Sequence, residues 1–186
     1  MTRSLPGKGA ATLPHRVELT LRGVGQLFNT IDPSPFLDKD LDHDAEEFIV
    51  SWTREFPLHE PVALVIYLSE LPTEKDFEPM IERSVQNYFG YRGRLNRLEF
   101  RQMMKDGRYS LLIGTLFLAA CLTTSQVLLG QAAGTFLSLG RESLTIAGWV
   151  AMWRPMEIFL YEWWPLRRRG RIFEKMSRMT VEVRKR

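Results

Sequence analysis

Tyr109-Ser110-Leu111-Leu112-Ile113-Gly114-Thr115-Leu116-Phe117-Leu118-Ala119-Ala120-Cys121-Leu122-Thr123-Thr124-Ser125-Gln126-Val127-Leu128-Leu129 is a run of 21 residues without a charge. It lies in a 32-residue stretch between Arg108 and Arg141 that carries none. A hydrocarbon layer about 30 Å thick takes roughly 20 apolar residues of helix to cross. The run therefore predicts a transmembrane helix over 109–129.

A second span follows less directly. Ser143 to Trp153 is 11 uncharged residues, and that length of helix covers only about 16 Å. To cross, the helix must continue through Arg154-Pro155-Met156-Glu157 to Trp164. The expectation is a transmembrane hairpin over 109–164, with helices at about 109–129 and 143–164 joined through Gly130–Glu142. Tyr161, Trp163 and Trp164 suit the aromatic belt of a membrane interface. Arg101, Lys105 and Arg108 precede the first span, and Arg167, Arg168, Arg169 and Arg171 follow the second. This basic collar is expected to face anionic lipid head groups, and it orients the hairpin with both termini in the cytoplasm. In a bacterial cell the membrane would be the inner one.

Charge divides the chain. Arg16–Met80 holds 14 acidic and 5 basic residues, whereas Ile81–Arg186 holds 18 basic and 8 acidic, for a net charge of +3 overall. A basic balance can signal nucleic acid. Here the cations cluster beside apolar spans, so lipid is the expected partner and nucleic acid is not. Residues 1–15 lack an apolar core and read as a flexible tail rather than a signal peptide. Cys121, the single cysteine, falls inside the apolar run and reads as packing rather than as a nucleophile.

Residues 16–108 are expected to form an acidic cytoplasmic α/β domain of β-α-β-α order, ending in a long basic helix. Arg16–Arg22 alternates strictly, with Val17, Leu19 and Leu21 on one side, as a half-buried strand does. Asp44-Ala45-Glu46-Glu47 has capping-box spacing and opens a helix over about Asp42–Glu55. Val62–Leu68 is a continuous apolar run between breakers, the pattern of a strand covered on both faces. A long helix opens between Thr73 and Pro79 and runs toward the first span. Two strands alone are marginal. A third must come from residues 1–40 or from a second protomer, and self-association into a homo-oligomer is the expectation.

Small residues recur every fourth position in both spans: Thr115, Ala119 and Thr123, then Ser143, Ala147 and Ala151. Such ladders let helix backbones approach closely in lipid. Arg154 and Glu157, three apart, can pair on one helix face. Ionisable groups within a span mark function by default, and the plainer reading is a snorkelling pair that sets helix depth. The acidic run Asp38–Asp44 imitates the start of a calcium loop, but His43 stands where glycine is required and Ile49 where glutamate is required. Acids at a helix N-terminus explain it better. His15, His43 and His59 are too scattered for a metal motif, and Gly23-Val24-Gly25 lacks the rest of a phosphate loop. No metal, cofactor or enzymatic activity is expected.

Beyond Pro165, Ile172, Met176, Met179 and Val183 recur at helical spacing among basic residues. Residues 165–186 are therefore expected to be a basic amphipathic helix, lying on the inner leaflet or docked on the acidic domain. Two stretches, Leu27–Phe36 with Asp40-Leu41-Asp42, and Gly148-Trp149-Val150-Ala151-Met152-Trp153-Arg154-Pro155-Met156-Glu157-Ile158-Phe159-Leu160-Tyr161 to Pro165, resemble an uncharacterised family of small bacterial two-span membrane proteins. The resemblance implies a membrane hairpin and transfers no catalytic or binding residue. The expected function is a self-associating membrane anchor or adaptor with a cytoplasmic domain that meets a cytosolic protein. The alternative is a subunit of an oligomeric channel or transporter, with Arg154 and Glu157 in its polar path.

Overall fold

In the computed structural model, which describes residues 14–70, 77–127 and 135–186, the third strand comes from the C-terminus. Three parallel strands, β1 (His15–Leu21), β2 (Val62–Leu68) and β3 (Thr180–Lys185), lie in the order β1-β2-β3. Between β1 and β2 lies helix α1 (His43–Glu55). Helix α2 (Phe77–Val127) follows β2. Then come α3 (Thr135–Ala151), α4 (Trp153–Glu157), a π-helical turn (Ile158–Glu162) and α5 (Trp163–Met176). Two compact units result: Met1–Arg94 with Gly170–Arg186, and Leu95–Arg169.

The first unit is the sheet domain. Its register sets Val17 beside Leu64 and Leu64 beside Val181, then Leu19 beside Ile66 and Ile66 beside Val183. Side chains alternate along a strand, so these residues share one face. Against them the core gathers Ala45, Ile49 and Val50 of α1, Ile81, Val85 and Phe89 of α2, and Ile172, Phe173 and Met176 of α5. The opposite face carries Ala63 and Val65, both buried, between the registered pairs Arg16 and Thr180, and Glu18 and Glu182. As the central strand, β2 is buried along its length apart from Tyr67, which is why it reads as an unbroken apolar run. The cap of α1 is Asp42, whose carboxylate accepts from the Asp44 N–H, two residues earlier than capping-box spacing suggests. The expected cap at Thr73 lies outside the described residues.

Two expectations are corrected here. The missing strand belongs neither to residues 1–40 nor to a partner, so self-association loses that argument. Nor is 165–186 one amphipathic helix. Helix α5 ends at Met176, where the Ser177, Arg178 and Met179 N–H groups close onto the Phe173, Lys175 and Met176 carbonyls. The chain then extends. Met179, Val181 and Val183 are buried while Thr180, Arg184 and Lys185 are exposed. The four-residue step from Met179 to Val183 suits both periods, and only the alternation between them belongs to a strand.

The second unit contains the rest of α2, then α3 and α4, which pack through glycines. A Cβ on Gly107 would lie 2.9 Å from Ile158 Cγ2, one on Gly114 3.0 Å from the Ala151 carbonyl, and one on Gly148 2.8 Å from Leu118 Cδ1. Gly107, Gly114 and Cys121 are seven apart and all buried, the spacing of a left-handed helix pair. The Gly114 contact has a second cause. Pro155 has no N–H to give the Ala151 carbonyl four residues before it, and this is the carbonyl that a side chain at position 114 would crowd.

The small-residue ladders do not form this seam. Thr115, Ala119 and Thr123 are exposed, as are Ser143 and Ala147, and only Ala151 meets α2. Thr115 and Thr123 return their hydroxyls to the Leu111 and Ala119 carbonyls of their own helix. The expected connection is also shortened. Thr135–Glu142 is helical, so α3 opens eight residues before Ser143. Among the described residues one helix, α2, is long and apolar enough to cross a membrane by length and composition.

Deleting Thr180–Arg186 should make the sheet domain sensitive to limited proteolysis, and Ile66→Ala, at a fully buried site, should cost about 2–5 kcal/mol in denaturant melts. In the second unit, Gly148→Leu should lower thermal stability in detergent, whereas Ala120→Leu, at an exposed position, should leave it unchanged.

Candidate functional site

Arg154 is the centre of an ionic cluster rather than half of a pair. Its Nη1 donates to Glu157 Oε2 at 3.0 Å and to Glu162 Oε1 at 2.6 Å, and its Nη2 donates to Glu162 Oε2 at 3.4 Å. Residues eight apart on an ideal α-helix sit about 80° from one another. The π turn at Ile158–Glu162 holds an extra residue in its turn, which brings Glu162 back onto the face of Arg154. Sequence reading finds Arg154 and Glu157 and misses Glu162. Nothing in the local sequence marks the π turn except Pro155 and the break at Met152.

The glycine seam gives the depth of this cluster. Gly107 lies level with Ile158, and Gly114 with Ala151. Counting between them sets Arg154 level with Leu111 and Glu157 level with Arg108. Arg154 is thus two residues inside the uncharged run, about 3 Å at 1.5 Å per residue. Glu162 falls level with Met103, outside the run. The guanidinium therefore reaches toward the charged end of α2. The middle of the run, near Leu118, faces Gly148.

The basic collar is exposed as expected: Arg101, Lys105, Arg108, Arg167, Arg168, Arg169 and Arg171 all face solvent. Two members rest on aromatic rings, Lys105 Nζ 6.0 Å from the Tyr109 centroid and Arg167 Cζ 5.8 Å from that of Trp163. Such contacts place cations at the rim of an apolar surface. Asn96, which sequence reading passes over, is buried and donates from Nδ2 to the Leu166 carbonyl at 3.0 Å, joining α2 to α5 within the second unit.

In the sheet domain, a cleft of about 730 Å³ is bounded by Asp32, Asp38 and Asp40 on one side and by Tyr88 and Tyr91 on the other. Asp32 and, beside the cleft, Glu46 are engaged locally. The Asp32 carboxylate accepts the Ser34 and Asp40 N–H groups at 2.9 and 2.7 Å. These backbone bonds hold its pKa below the usual carboxylate value. Glu46 accepts the Tyr88 hydroxyl at 2.7 Å and pairs with Arg92 at 2.8 Å. Burial, with the Glu46 bond second, pushes the Tyr88 phenol well above its ordinary pKa. The acidic stretch is thus a structured loop and helix start. Among the described residues no group of three or more His, Cys, Asp or Glu is placed to hold a metal ion.

No protein-family model, no curated protein and no solved structure matches the chain.

Arg154→Met leaves two carboxylates without their shared cation, so it should destabilise the protein more than the triple change Arg154→Met, Glu157→Gln, Glu162→Gln, measured by thermal unfolding in micelles. Because all three side chains are at least a third exposed, each pair should contribute only about 0.2–1 kcal/mol. Asp32 sets an acid limit. Its pKa is depressed in the folded state, so its contribution is complete above the unfolded value of 3.8 and is lost as pH falls below it. Asp32→Asn should flatten that limb of the stability profile.

Proposed function

We propose that this protein is an integral membrane protein of the bacterial inner membrane, crossing it twice with both termini in the cytoplasm. It acts as a self-associating anchor or adaptor whose acidic α/β domain meets a cytosolic partner. The observation that carries the reading is apolar exposure on two antiparallel helices at matching levels. Ile113 and Leu116 on α2 are 66% and 63% exposed, and Trp149 and Val150 on α3 are 62% and 65% exposed. Water does not tolerate a continuous surface of that kind on a lone chain, and lipid does. The first span is carried by α2. The second would be α3 continued into α4, one helix too short to cross without its neighbour.

The remaining features fit this assignment. The collar and its ring contacts suit anionic head groups at one interface. Arg154 and its two glutamates sit at that same rim, where they set depth rather than line a path through the layer. Thr115, Ala119, Thr123, Ser143 and Ala147 stay outside the intrachain seam, so they are available to pack a second copy. The resemblance of Gly148–Pro165 to small bacterial two-span membrane proteins points the same way.

Cysteine accessibility in a Cys121→Ser background tests the topology. Lys185→Cys should react only with reagent on the cytoplasmic side, and Thr135→Cys only from outside; labelling of both from one side would overturn two spans. Native mass spectrometry in nanodiscs should give a discrete oligomer, and a monomer would end the self-association reading. Ion flux in proteoliposomes that disappears with Arg154→Met plus Glu157→Gln would replace the anchor with a channel.

A further inference from the structure

On the sheet domain, the loop that enters β2 and one face of α5 enclose a cleft of about 530 Å³. From α5 it is lined by Arg171, Glu174 and Lys175, from the turn after α5 by Arg178, and from the loop by His59 and Glu60. Arg171 and Lys175 stand at i and i+4, which places them along one helix face. The volume suits a small ligand.

The cleft's own carboxylates, Glu60 and Glu174, are fewer than its cations, and each has a partner of its own. Glu60 is bonded to His15, which stacks on Phe56, and lies 3.6 Å from His59. The His15 bond, ahead of the other influences, holds the Glu60 pKa below its usual value. Glu174 pairs with Arg178 at 3.0 Å along the helix. Lys175 donates a hydrogen bond from Nζ to the Pro57 carbonyl at 2.8 Å and has no carboxylate within 4 Å among the described residues. Partial burial lowers its pKa, opposed by the charge of Glu60. Arg171 is exposed and makes no ion pair among the described residues. The helix dipole accounts for Lys175 in the last turn of α5. It does not account for Arg171, one turn earlier, opening onto the same cleft.

We propose that this cleft binds a phosphoryl group, with Arg171 and Lys175 as its principal donors and Arg178 at its rim. An arginine offers a planar fork to phosphate oxygens, and a lysine beside it offers a point charge. Its two sources, a phosphate compound free in solution and a lipid head group, share this chemistry, and the experiment separates them. The inference does not depend on the number of membrane spans.

Calorimetric titration of inorganic phosphate into the full-length protein, held in phosphatidylcholine nanodiscs, tests it. Saturable binding at one site per chain is expected. Arg171→Gln and Lys175→Met should each weaken it about tenfold, the loss of one charge-assisted contact. Arg168→Gln, on the collar and outside the cleft, should leave it unchanged. If Lys175→Met fails to fold by circular dichroism, Arg178→Gln, at an exposed side chain, carries the comparison. Absence of saturable binding overturns the proposal, and so does equal weakening by Arg168→Gln, which would show diffuse attraction to the basic collar. Repeating the titration with phosphatidic acid in the nanodisc separates the two sources. Weakened phosphate binding there identifies the head group as competitor, and unchanged binding identifies a soluble phosphate compound.

Discussion

Parallel pairing of β3 with β2 is the constraint on which the rest of this chain depends. Antiparallel neighbours close through a two-residue turn, but parallel neighbours need a connection of a dozen or more residues. Here that connection runs from Ser69 to Met179 and contains the whole second unit, Leu95–Arg169. The last strand to be made fills one edge of the sheet. The last helix, through Ile172, Phe173 and Met176, completes a core begun by Val17, Ile49 and Leu64. Contacts so distant in sequence form late. The sheet domain is therefore completed only by chain that follows the second unit. For the anchor we propose, this ties the integrity of the sheet domain to the segment that would hold it.

Within the inserted unit, one departure from regular helix leads to the next. Pro155 withholds an N–H from Ala151, Gly114 closes on the carbonyl left free, and that contact sets the register of α2 against α3. The π turn after Glu157 then rotates Glu162 into reach of Arg154. The π turn thus places one cation and two anions on one face of a single helical segment.

In the acidic half Asp32 is held by its own loop, Asp42 by the start of α1, Glu46 by Tyr88 and Arg92, and Glu60 by His15. The collar cations face outward, two of them against aromatic rings.

The sequence by itself determined whatever depends on local period and composition. It marked the apolar helix after Tyr109, the alternation of β1, the buried run of β2, the helix ending at Glu55 and the pairing of Arg154 with Glu157. It did not determine where Val181 and Val183 go, because a four-residue step from Met179 fits a helix as well as a strand and only an open edge on β2 decides between them. Nor did it choose between the ladder at Thr115, Ala119 and Thr123 and the seam at Gly107, Gly114 and Cys121. Both spacings permit close packing, and the carbonyl freed by Pro155 favours the second. Glu162 was hidden for the same reason: its place beside Arg154 follows from one extra residue in a turn, which no side-chain period records.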